Sequence, residues 1–106
     1  MTEHDLQNSI RLELSRRGCA VFRTNVGKVR LPDSRIFDTG LPKGHSDLVA
    51  YRDGMAFFVE VKVHPNKPSE EQMNFLAVMR DRYGCNGGVA YSVDDAIDIV
   101  YGGRKS

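Results

Sequence analysis

In "FVEVKV", residues 58–63, an acid and a base stand two positions apart in a run otherwise built for a β-strand. Side chains alternate along a strand, so Glu60 and Lys62 share a face. The stretch belongs to "DLVAYRDGMAFFVEVKV" (47–63), where two apolar runs flank Asp53-Gly54, a strong hairpin signal. A two-residue turn there pairs residues whose numbers add to 107, which sets Asp47 opposite Glu60 on the same face, Cβ atoms about 5 Å apart. Like charges so placed repel and weaken a sheet unless a cation sits between them. Two carboxylates, a backbone carbonyl and waters form an oxygen site suited to Mg²⁺ or Mn²⁺. Lys62, one strand repeat further on, can orient or help deprotonate an attacking water and offset charge building at phosphorus. The plain alternative is a Glu–Lys pair on a solvated face, contributing about 0–1 kcal/mol. Against it, the same face carries Val49, Tyr51, Ala56 and Phe58 and reads as covered.

Two further polar residues fall on apolar helical stripes. Glu3, Gln7, Ile10 and Leu14 share one face of a first helix, so Glu3 is a candidate further metal ligand. As a first-turn acid it is equally well explained by the helix dipole. Gln72, Leu76, Met79 and Tyr83 share a face of a later helix. Gln72 is a candidate contact to the lysine, a water or a phosphate. It is also the capping partner of Ser69, and one side chain is not expected to serve both roles fully. His4, His45 and His64 have no zinc spacing, and His45 is at most a helper beside Asp47.

The elements that must position these groups have local signals. Thr2 caps a first helix that Gly18 closes. "CAVFRTN" (19–25) is a strand candidate, and 26–46 reads as a long, basic, irregular stretch with room for one short strand at 35–37. "SEEQMNFLAVMRDRYG" (69–84) is a helix between the Ser69 cap and Gly84. "GGVAYS" (87–92) is a short strand, and Ser92 caps a last helix with Ile97 and Val100 inward before a frayed "RKS" tail. The order implies a single mixed-sheet α/β domain over residues 1–106.

Composition narrows the function class. The 106 residues are 41% hydrophobic and 27% charged, with a net charge of +1, as in an ordinary globular domain. No apolar run reaches the length of a membrane span and the N-terminus is polar, so a cytoplasmic protein is expected. Cys19 and Cys85 show no metal or redox spacing and read as two reduced thiols. Charge is uneven: residues 16–43 hold seven basic side chains against two acidic ones. Such a stretch is either a docking surface for a polyanion or a solvated loop.

"GHSD" (44–47), then "VEVK" (59–62), then Gln72 in the next helix resembles the PD-(D/E)XK nuclease superfamily, and more narrowly the VRR-NUC (virus-type replication-repair nuclease) family. "TEHDLQNSI" (2–10), "FRTNVG" (22–27) and "KPSEEQ" (67–72) carry the same resemblance, which spans about residues 2–92. It departs from the superfamily pattern at Ser46, where a proline is usual, though serine is familiar among VRR-NUC proteins. The resemblance implies a restriction-endonuclease-like core, a mixed central β-sheet flanked by helices. It implies Mg²⁺- or Mn²⁺-dependent cleavage of DNA, leaving 5′-phosphate and 3′-hydroxyl ends. Asp47, Glu60 and the Val61 carbonyl would hold metal, with Glu3 as the family's first-helix acid. Asp47, Glu60, Lys62 and Gln72 would form the catalytic set. Arg23, Lys28, Arg30 and Lys43 of the basic region are candidate DNA contacts. Stand-alone members of this size, in phages and bacteria, resemble homodimeric resolvases of four-way (Holliday) junctions. The expectation is therefore a homodimeric junction endonuclease in a bacterial or phage-infected cell. The alternatives are a monomeric flap or nicking nuclease, a DNA-binding module without turnover, and an interaction protein whose acids face solvent.

Overall fold

The computed structural model describes residues 1–24 and 28–102, apart from the side chains of Lys28, Val29 and Phe37. The Asn25–Gly27 part of "FRTNVG" and the "RKS" tail lie outside the described residues.

Helix α1 (Glu3–Arg16) starts at a reciprocal cap. The Asp5 amide donates to the Thr2 hydroxyl at 3.0 Å, and the Thr2 amide donates to Asp5 Oδ2 at 3.2 Å. Leu6, Ile10 and Leu14 recur every fourth residue and are buried. Strand β1 (Ala20–Arg23) follows. The next stretch corrects the sequence expectation of one short strand: β2 (Lys28–Arg30) and β3 (Ile36–Asp38) pair antiparallel as a separate two-stranded sheet. Pro32 and Asp33 turn the chain, Ser34 takes the left-handed conformation, and the Leu31 amide donates to the Arg35 carbonyl at 2.7 Å.

Strands β4 (Leu48–Arg52) and β5 (Met55–Val61) form the expected hairpin. Asp53 and Gly54 have φ of 51° and 77°, the twin left-handed residues of a two-residue turn that matches strand twist. Leu48 pairs with Val59 and Arg52 with Met55, so the register is the one the turn dictates. Helix α2 (Glu70–Tyr83) is capped by Ser69 and ended by Gly84 in the left-handed conformation. It is the crossover to β6 (Gly87–Ala90), which lies parallel to β5. Helix α3 (Val93–Tyr101) begins at Ser92, buries Ala96 and Val100, and keeps Ile97 partly buried. The four-stranded sheet has the order β1-β4-β5-β6.

Alternation splits the sheet into two faces. Leu48, Ala50, Phe57, Val59 and Val61 pack with Leu6, Ile10, Leu14, Ala96 and Val100 from α1 and α3. The opposite face, which carries the carboxylates, packs Val49 and Phe58 against Leu76, with Phe75 and Met79 beside them. This second cover is narrower than the sequence implied. Tyr51 is 46% exposed, and Tyr83, placed on the α2 stripe by its spacing, is 64% exposed.

Arg52 joins the hairpin to the end of α3. Its Nε and Nη2 donate to the Val100 carbonyl at 2.8 and 2.5 Å, and its guanidinium lies 4.8 Å from the Phe57 ring centre and 4.7 Å from that of Tyr101. A cation on the last carbonyls of a helix is favourable, and here only 7% of the side chain is exposed. Arg52→Met keeps the bulk and loses the donors. It should cost about 1.5 kcal/mol, a fall of roughly 5–10 °C in melting temperature by calorimetry.

Candidate active site

Each residue of "GHSD" has a physical task. Gly44 is buried against the first turn of α2: a Cβ there would collide with the Glu71 carbonyl oxygen and lie 2.8 Å from its carbon. The His45 ring packs between Phe75 and Phe58, with centroids 4.7 and 5.7 Å away. Ser46 is fully buried, and its hydroxyl donates to the Leu48 carbonyl at 2.9 Å. The Ser46 carbonyl accepts from the Thr24 hydroxyl and lies 2.9 Å from His45 Nδ1. The Thr24 amide donates to the Asp47 carbonyl at 3.0 Å, so the end of β1 clamps the backbone that presents Asp47. The role of Thr24 went unmarked by sequence reasoning, because no spacing signals a contact between segments more than twenty residues apart.

Asp47 lies just before β4. The Val61 amide donates to its Oδ2 at 2.8 Å, which ties the Asp47 carboxylate to the end of β5. A strand residue presents its N–H and C=O on the same edge, so the Val61 carbonyl leaves β5 toward Asp47 too. Glu60 is 1% exposed. Its Oε1 accepts from Gln72 Nε2 at 3.1 Å, while its Oε2 is buried with no hydrogen-bond partner among the described residues other than the Asp47 carboxyl itself. A buried carboxylate oxygen left unpaired is costly and calls for an explanation. Burial is the first cause that pushes the Glu60 carboxyl up, to about 9; a hydrogen bond to the Asp47 carboxyl is the second and the Asp47 charge the third, Lys62 opposes the push and Glu3 adds to it, so without a cation the Glu60 proton is what relieves the pair.

Gln72 overturns the expectation that one side chain would not serve two roles. Its Oε1 accepts from the Ser69 amide at 2.8 Å, completing the helix cap, and its Nε2 donates to Glu60. A primary amide has an acceptor end and a donor end, and each finds its own partner.

The other sequence candidates are placed less centrally. Glu3 is half-buried on α1, which packs on the opposite sheet face, and it bears on Glu60 only through its charge. Among the described residues, no three His, Cys, Asp or Glu side chains lie close enough to hold a metal. Lys62 is half-buried and makes no hydrogen bond or ion pair through its side chain among the described residues. Arg23 pairs with Leu48, so it shares the face of α1 and not that of the carboxylates. Arg30 lies on the separate β2–β3 ribbon, exposed, and the side chain of Lys28 is outside the described residues. Lys43 is exposed 3.8 Å from Glu71, at the start of α2.

The donor set, two carboxylates and a carbonyl, is one that hard divalent cations prefer. The buried Glu60 Oε2 fits such an ion, which would supply a partner and lower the repulsion with Asp47. In this state the site holds its acids ready but incompletely satisfied.

No protein-family model matches the sequence, and no curated protein does. A solved structure described as a VRR_NUC domain is similar to it, at a TM-score of 0.67 and 23% sequence identity over 92% of both chains. The mixed sheet with its flanking helices thus has the fold of that VRR_NUC domain.

Proposed function

We propose that this chain is a VRR-NUC-family nuclease: a structure-selective DNA endonuclease, dependent on Mg²⁺ or Mn²⁺, that acts as a homodimer on branched, four-way junctions. One observation carries this reading. Glu60, near the end of the strand that Lys62 follows, is a carboxyl only 1% exposed beside Asp47, and its Oε2 has no hydrogen-bond partner among the described residues other than the Asp47 carboxyl itself.

Asp47, Glu60 and the Val61 carbonyl would hold the ion, with Glu3 near enough to add negative charge. A divalent ion held there would supply Lewis-acid polarisation of the scissile phosphate and a lowered pKa for the attacking water. The chain's own side chains set the geometry. Gln72 fixes one oxygen of Glu60 and thereby aims the other, while the Val61 amide fixes Asp47. Lys62, free of any ion pair among the described residues, orients the attacking water and offsets charge on the phosphate. Arg30 and Lys43 engage the DNA backbone, so binding weakens steeply with salt. Two copies related by a twofold axis would cut two strands symmetrically.

Purified protein on a panel of junction, flap and duplex DNAs, with and without Mg²⁺ or Mn²⁺, tests the proposal. Junction cleavage that needs the ion, from a species that sediments as a dimer, is expected. Flap or nick cleavage by a monomer would replace the junction reading, and binding without product in either metal would remove the enzyme. Lys62→Ala should bind junction DNA normally and cleave it about a hundredfold more slowly. Single-turnover rates at saturating protein check this, and a wild-type rate would strip the lysine of its role.

A further inference from the structure

Just beyond the catalytic strand, two aromatic rings lie flat on one another. The centroids of His64 and Tyr91 are 4.1 Å apart and their planes differ by 12°. Both lie just past the C-terminal ends of β5 and β6, the end of the sheet where Glu60 and Val61 sit. Glu60 pairs with Val89 and Val61 with Ala90, and the Lys62 amide donates to the Ala90 carbonyl at 3.0 Å. Continuing this parallel register sets Tyr91 beside Lys62, on the carboxylate face. His64 is two residues further along the chain, about 7 Å in an extended backbone.

The Tyr91 ring is anchored at both ends. The Tyr91 amide donates to Asp95 Oδ2 at 2.8 Å, at the cap of α3. The Tyr91 hydroxyl donates to the Asn66 carbonyl at 3.1 Å, and the Asn66 amide closes a turn onto the Val63 carbonyl at 2.9 Å. Tyr91 is half-buried while His64 is exposed. Lys67 follows in the same loop, exposed and without an ion pair among the described residues. A ring stack with one anchored and one outward member, and an exposed lysine one residue beyond the anchoring Asn66, has the makings of a stacking platform for single-stranded nucleic acid.

We infer that the His64–Tyr91 stack receives an unpaired nucleobase of the DNA strand being cut, with Lys67 on an adjoining phosphate. Resting on the nuclease reading, this assigns the preference for branched DNA to a particular pair of side chains. A fully paired duplex offers no free base face, whereas a fork offers one at its branch, and a four-way junction offers one where a pair at its centre opens. Stacking is tolerant of base identity, so the platform selects structure and not sequence.

The test uses full-length protein and a forked DNA carrying 2-aminopurine at the unpaired position nearest the branch, titrated without divalent metal and read by fluorescence. Wild type should quench the base and bind the fork about tenfold more tightly than His64→Ala does, with His64→Phe restoring both. Paired duplex of the same length should bind the three proteins alike. Tyr91→Leu, which keeps a bulky side chain, should lose quenching as His64→Ala does. Equal quenching and affinity for wild type and His64→Ala, or fork binding without quenching, would overturn the platform. Cleavage of the same fork in Mn²⁺ is scored separately. Its absence in wild type overturns the nuclease reading, while the quenching still decides the platform.

Discussion

Glu60→Gln should reduce DNA cleavage about a thousandfold or more and yet raise the melting temperature of the metal-free protein at alkaline pH. The two effects have one cause. Burial and the adjacent Asp47 hold the Glu60 carboxyl at about 9, against an ordinary 4.5. Between those values the folded, metal-free chain keeps a proton that the unfolded chain has released. The native state then binds more protons, so its stability falls as pH rises across that window. Glutamine keeps the shape and carries no charge to bury, so the pH slope should largely vanish and the gain should be greatest toward pH 9. Mn²⁺ should stabilise wild type increasingly with pH, because ligation needs the ionised carboxylate, and should stabilise the variant little. Thermal melts from pH 5 to 9 with and without the ion, beside single-turnover cleavage, check all of this. A variant that cleaves as wild type does, or that keeps the full pH slope, would refute the assignment of Glu60.

Gly44→Ala should be among the most damaging small substitutions in the chain. Its Cβ would meet the backbone of Glu71 and lie 3.3 Å from the Gln72 nitrogen, where no flexible side chain can yield. The first turn of α2 would have to retreat. An overpacked site of this kind costs about 3 kcal/mol, more than about 10 °C in melting temperature. The same retreat draws Gln72 away from Glu60, so cleavage measured well below the new melting temperature should fall as well. Calorimetry and cleavage at low temperature read the two losses, and a variant with unchanged stability would show that α2 is not seated on this glycine.

The sequence was most legible where structure is decided locally. The Asp53-Gly54 turn fixes the β4–β5 register through its own backbone, and that register alone brings Asp47 to Glu60. The Thr2, Ser69 and Ser92 caps and the Gly84 stop are equally local, since each is satisfied within a few residues. Legibility failed where the outcome depends on how much of a face another element covers. Tyr51 has the alternation of a covered residue, but α2 packs over β5 and β6 and leaves the β1 side of the sheet open, where Phe22 is 58% exposed. The β2–β3 ribbon was hidden because three-residue strands around a Pro32–Ser34 turn give too short a pattern to separate from loop. Gln72 was misjudged for a different reason. The sequence shows which groups a side chain owns, while only the approach of α2 to β5 shows that its two ends reach different partners. Arg23 illustrates the cost of treating a basic stretch as one surface, since strand pairing turns it away from the acids.

The tight turn of the β4–β5 hairpin also constrains how such a chain can change in length. Losing or gaining a single residue within β5 would carry Glu60 into the apolar layer beneath α1 and expel Val59 to take its place. Two residues added together at the Asp53-Gly54 tip, by contrast, prolong the ribbon and preserve which side every group occupies. Descendants and designed variants should therefore tolerate insertions here in even numbers, a parity rule enforced by the pleat and not by the chemistry it serves.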